Sequence, residues 1–354
     1  MAPMSNSTAK PSLAGFYQPA TPFQPMIYPA STDARNLARA LSGPAGAAAP
    51  AEVGAPRPAE RLANPGPFQA PVQLALHAHP QPLRYDVTTR WEERRHEEVT
   101  RTIVQKQLTL SSQAHGDNLL VTWATMPPLL RKPDLLAMEE IALLLAGIYQ
   151  RLVIKTGAGG EFLALANHAE VVATWAGIKQ ELVARYGEDE DLTTALRTAV
   201  EIQVCDPALL LHSLHHDYAY HLLVANLYQQ RFESGFGYRQ SRSFPHFLPD
   251  TALHFHERLE LGAPAAPGRA TVLVSGRLDE QRTHRPAVAR QAESALALLG
   301  QVATPDPAAL TFNYRARYDL DVATGWPVAV AATIGCESPA GYAKEYDLTI
   351  QQVV

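Results

Sequence analysis

The chain has 354 residues, a formal charge of −5 and two cysteines. That length accommodates up to two domains, and so few cysteines exclude a disulfide-stapled mini-scaffold. The acidic balance argues against a nucleic-acid partner, and no segment reaches the run of about eighteen apolar residues that a membrane helix needs.

Residues 1–82 hold fifteen of the 28 prolines, together with runs such as Gly43–Pro50. Proline and alanine without a periodic apolar face bury too little surface to offset chain entropy. This stretch is therefore expected to be an extended or disordered Pro/Ala-rich tail that serves as a tether. Met1–Tyr17 has no basic segment followed by an apolar one, so no export signal is read there and a cytoplasmic address is expected.

A single α+β domain is expected over 83–354, divisible into halves at 83–250 and 251–354. Tyr85, Val87, Thr89 and Trp91 alternate with polar residues, a second run follows from Val99 to Leu110, and Leu119, Val121 and Trp123 make a third. A period of two with turn residues at His115–Asn118 predicts an antiparallel meander. Arg90–Arg101 interleaves arginine with Glu92, Glu93, Glu97 and Glu98, which reads as a wet strand face laced with ion pairs.

Helices are expected next. Pro133 and Asp134 begin one that carries Ile141, Leu145 and Ile148 inward. A short hairpin at 152–165 turns through Gly157, Gly159 and Gly160. Asn167 with Glu170 resembles a capping box, and a further helix is expected over Asp189–Val204. Asp206 and Pro207 start an apolar helical run expected to reach about Phe232. Between Glu233 and Asp250 the periodicity lapses, and the aromatics Phe236, Tyr238, Phe244 and Phe247 are expected in a packed loop.

Strands resume at Leu253–Leu261 and Thr271–Leu278, followed by a helix from about Pro286 to Leu299. The clearest pattern closes the chain. From Leu310 to Val322 apolar and polar residues alternate without a break, Gly325 supplies a turn, and runs from Trp326 to Ile334 and from Tyr342 to Ile350 complete a second meander. The fold class expected is α+β, with antiparallel meanders before and after a helical block, forming a curved sheet or half-barrel packed on helices. The alternation places Tyr318 and Trp326 in the core and Arg317 and Asp319 in water.

Candidate chemistry is sparse. His212 and His216 stand one turn apart on a helix, with His215, His221 and Asp217 nearby, but neither a following glutamate nor a third ligand is identified, so no metal site is assigned. His254 and His256 fall on the wet side of a strand. The glycines at 157–160 lack the strand-to-long-helix setting of a nucleotide loop, and Ser234–Gly235 and Ser275–Gly276 lack the flanking glycine of a nucleophile elbow. Cys205 precedes a helix start but follows Ile202 and Val204, which reads as a buried structural thiol. Asp319 and Asp321 share a face with Arg315 and Arg317, which reads as ion pairing.

No catalytic residue and no cofactor is assigned. The expected function is a non-catalytic binding or assembly protein, a component of a larger bacterial complex, with a protein partner or self-association. The alternatives are a carrier or sensor of an apolar small molecule held in the half-barrel, and a metal-dependent hydrolase using the helix histidines.

Overall fold

A computed structural model describes residues 60–61, 71–126, 129–130, 137–187, 191–224, 226–233, 236–248, 251–298 and 304–353. Most of the expected tail, and the expected helix start at Pro133, lie outside the described residues.

The alternating runs form strands because one side of each can be buried. In chain order the strands are β1 (Glu60–Arg61), β2 (Val72–Gln73), β3 (Leu83–Arg95), β4 (Glu98–His115), β5 (Asn118–Thr125), β6 (Leu129–Leu130), β7 (Arg151–Thr156), β8 (Phe162–Leu165), β9 (Arg231–Phe232), β10 (Phe236–Leu248), β11 (Thr251–Gly262), β12 (Arg269–Leu278), β13 (Thr311–Asp321), β14 (Pro327–Ser338) and β15 (Tyr342–Val353). The helices are α1 (Ala137–Ala146), α2 (His168–Tyr186), α3 (Asp191–Cys205), α4 (Pro207–His216), α5 (Tyr218–Leu223) and α6 (Arg285–Ala297).

Thirteen strands make one antiparallel sheet in the order β1-β10-β11-β12-β13-β14-β15-β3-β4-β5-β7-β8, with β6 beside β4. The sheet is not closed into a barrel. Two units of like connectivity compose it. In each, three antiparallel strands precede a helix and further strands follow it, β3-β4-β5-α1-β7-β8 in one and β10-β11-β12-α6-β13-β14-β15 in the other. The seam between them is the β15–β3 ladder, which sets Ile350 against Val87 and Tyr346 against Trp91. Both expected halves, 83–250 and 251–354, contribute strands to this one sheet, and β10 of the first stands with the second unit.

The helices cover one face of this sheet. Tyr218 of α5 meets Trp91, Phe244 and Tyr346 at ring-centroid distances of 6.1, 5.4 and 5.0 Å, and Tyr220 lies 4.7 Å from Trp123. Tyr314, Tyr318, Trp326, Val330, Ile334, Leu348 and Ile350 are buried on the same face. Along these strands the aromatic side chains are buried within the chain itself, Tyr314 against Phe244 and Phe255 and Trp326 beneath the backbone of residues 75–77.

Burial begins before Leu83. Leu74 is fully buried, and the Leu74 carbonyl accepts from Gln229 N at 2.9 Å. The His77 carbonyl accepts from the Trp326 indole at 2.8 Å. The backbone of Ala75 passes so close to Gly325, at φ +75°, that a Cβ there would strike its carbonyl oxygen. Only glycine suits a turn crossed by a second strand of backbone.

Three local expectations need correction. The stretch 236–248 is not a loop but β10, lying toward one border of the sheet, where Pro245 is tolerated because a border strand need not donate every N–H. Its register shifts between Phe244 and Leu248, and His246 takes φ +58°, so the bulge hides the period-two pattern. The helical run from Pro207 breaks at Asp217, whose side chain caps α5 by accepting from Tyr220 N at 3.0 Å. Asn167 does not cap α2; its side chain instead ties β7 through Val153 N at 2.7 Å and the Arg151 carbonyl at 3.0 Å.

Candidate functional site

Alternation leaves one set of side chains on the sheet face opposite the helices, and pairing aligns them in rows across the strands. One row reads Ser275, Arg315, Thr333, Asp347, Arg90 from β12 to β3; the next reads Leu273, Arg317, Ala331, Thr349, Thr88. Between long charged side chains on β13 and on β15, the middle strand β14 presents Ala329, Ala331, Thr333 and Gly335 in succession, and its first charge on this face is Glu337 near the strand's end. The result is a trough of about 670 Å³ with β14 as its floor.

Most charges on this face are matched nearby. Arg317 pairs with Asp319 at 3.1 Å, Arg269 with Asp321 at 3.3 Å, Arg258 with Glu260 at 2.6 Å and Arg94 with Glu337 at 2.6 Å. Asp319 and Asp321 are thus ion-paired, as expected, and do not converge on a cation.

The trough departs from this matching. Arg90 serves Asp347 and also Glu345 at 3.2 Å, so two carboxylates share one guanidinium. The Glu345 carboxyl is pushed above its ordinary range by desolvation and then by the neighbouring Asp347 charge, against the pull of Arg90. On the opposite bank Arg315 is exposed and, among the described residues, pairs with no carboxylate. Thr333 donates to Asp347 at 2.7 Å from the floor.

The helix histidines do come together. His212 and His216 of α4 place their Nε2 atoms 2.8 Å apart, with ring planes at 88°. His215 bonds the Phe162 carbonyl at 3.2 Å. Among the described residues no three His, Cys, Asp or Glu side chains stand at metal-binding spacing. His216 is pushed down to about 3 by desolvation and then by His212, His246 and His215. His221 is held well below its ordinary value by burial and then by Arg242, and His215 is lowered mainly by burial.

These histidines give a pH dependence with a definite sign. They are neutral in the fold but take up protons near pH 6.5 when unfolded, so the unfolded chain binds more protons and stability falls as pH drops below that value. At pH 5 each strongly depressed histidine costs about 2 kcal/mol. Denaturant unfolding at pH 7 and pH 5 should show this loss, and His216→Gln should remove about that much of the difference. An unchanged difference in the variant would mean that His216 is free to protonate in the fold.

Buried charged side chains lie on the helix-covered side as well. Glu257 accepts from Arg242 Nε, from Gln240 at 2.5 Å and from the Tyr314 hydroxyl at 2.7 Å, with Glu257 and Arg242 only 1% and 5% exposed. Burial opposes the Arg242 charge, but Glu257 outweighs it and holds the guanidinium firmly protonated. Lys344 is buried 5.2 Å from the Trp91 ring centre, its ammonium weakened by desolvation and supported by Glu93.

The remaining sequence candidates are dispersed. Gly157, Gly159 and Gly160 form the hairpin turn between β7 and β8, as expected. Cys205 is a correction: it is exposed, because α3 runs through it and points Val204 and Gln203 inward instead. Cys336 is the buried thiol, pushed up to about 12 by desolvation. His254 and His256 alternate with the buried Leu253 and Phe255 on β11, as their spacing implied. The sequence carried a signal for the trough that was not read, the small residues at every second position of β14 between charged strands. Compared with protein-family models and with curated proteins, this chain has no match.

Proposed function

We propose that the chain is a non-catalytic binding or assembly protein whose working surface is the open sheet face along β14. The observation that supports this reading is the charge imbalance across the trough. Glu345 and Asp347 share one arginine on one bank, and among the described residues Arg315 pairs with no carboxylate on the other, while four arginines around them are paired. A face that had only to stay wet gains nothing from separating opposite charges by one strand of small residues; a face that receives a complementary surface does.

Ala331→Trp tests the proposal, since it fills the trough floor from the exposed side and leaves the helix-covered core alone. Chemical crosslinking and native mass spectrometry should find a bound polypeptide, either a second copy or a different chain, on the wild type and lose it in the variant. Melting at an unchanged temperature would establish that the variant is folded. The same attached species in both proteins, or none in either, would end the proposal.

A further inference from the structure

We infer that the surface received by the trough is the trough of a second copy, related by a two-fold axis running along β14. The inference rests on the binding reading above and names its partner.

A two-fold axis along a strand, lying between two facing sheets, turns each bank of the trough onto the opposite bank while preserving position along the strand. Arg315 and Asp347 occupy one row, on either side of Thr333. The operation therefore sets Arg315 over Asp347 of the partner subunit, and does so twice. Thr333 meets its own symmetry mate, as does Ala331, and only small side chains at the axis allow that approach. Leu273, 41% exposed on β12, falls over Thr88 of the partner subunit from the matching row. Charges left unmatched within one copy become matched between two: the surplus carboxylate beside Arg90 gains a guanidinium, and Arg315 gains a carboxylate. A partner with an unrelated surface would need the same charge separation at the same row, whereas a second copy supplies it by construction.

The size of the patch sets the expected strength. Five strands at ~4.8 Å spacing and about seven residues of each give a footprint of roughly 450 Å² per copy, below the ~800 Å² of a standard stable interface. The dimer should be weak, reversible and sensitive to salt.

Sedimentation equilibrium at low ionic strength, from about 10 µM to about 1 mM, reads this directly. The wild type should pass from monomer to dimer, and added salt should shift the equilibrium back. Arg315→Glu sets like charges opposite each other at both symmetry-related contacts and should weaken the dimer by about tenfold or more. Arg315→Lys should retain most of the association. Asp347→Asn keeps an acceptor for Thr333 and should weaken it as well. A wild type that stays monomeric throughout overturns the inference, as does a dimer of equal strength in Arg315→Glu. If a different chain occupies the wild type and leaves on Ala331→Trp while the protein alone stays monomeric, the inference fails and the binding proposal stands. Absence of both signals from the wild type rejects both.

Discussion

Glu257→Gln is expected to cost about 3–5 kcal/mol in denaturant unfolding, more than its conservative chemistry suggests. The carboxylate offsets the charge of Arg242 inside the core, where neither side chain reaches water, and accepts from Gln240 and Tyr314 as well. Glutamine keeps the shape but leaves a guanidinium buried with no counter-charge, and desolvation then acts against Arg242 unopposed. The double replacement Arg242→Met with Glu257→Leu removes both charges and should lose less than the single change. A loss below about 1 kcal/mol for Glu257→Gln would mean that water or another anion reaches Arg242.

The second large effect is Tyr318→Asp, expected to destabilise by about 3 kcal/mol or more. Tyr318 is fully buried between Val272 and Val330 of the flanking strands, so the change removes an aromatic ring and inserts a carboxylate without a partner. Its neighbour provides the control. Arg317 points to the opposite face and pairs with Asp319 at 3.1 Å in water, so Arg317→Ser should cost under about 1 kcal/mol. Equal losses would mean that β13 is displaced by one residue, since such a slip exchanges every side chain between the faces.

How far the sequence discloses the structure depends on what each element is made of. β13, β14 and β15 were legible because water on one side and core on the other impose an unbroken alternation, and the turn at Gly325 needs a residue free to take positive φ. The burial of Lys344 agreed with its position in that alternation even though its charge did not, because Glu93 and the Trp91 ring accompany it. β10 was illegible for the opposite reasons: a bulge shifts the period, Pro245 sits inside the strand, and Arg242 stands where an apolar residue would have completed the pattern. Arg242 is intelligible only with Glu257 on the adjacent strand.

The candidate surface is a property of register. Arg315, Thr333 and Asp347 stand next to one another only because three strands pair at particular offsets, and no local pattern records those offsets. The histidines differ, since a spacing of four on α4 brings His212 and His216 into contact by helix geometry alone. His246, which also acts on His216, comes from the bulge of β10 and could not be foreseen from the helix.

The β15–β3 seam carries a consequence for the order in which the chain can mature. Arg90 and Asp347, which meet across it, are 257 positions apart. At ribosomal speeds of about 5–20 residues per second, β3 waits roughly 10 to 50 s for the strand that completes it. During that interval β4 can shield one edge of β3 while the other stays open to any passing strand, the setting in which nascent chains aggregate. Seven of the thirteen residues of β3 are charged, and Arg90, Glu92 and Arg94 project from one side of it. A strand so charged is a poor template for strangers, so the residues that later form ion pairs with Asp347, Glu345 and Glu337 first act as guards of an unfinished sheet.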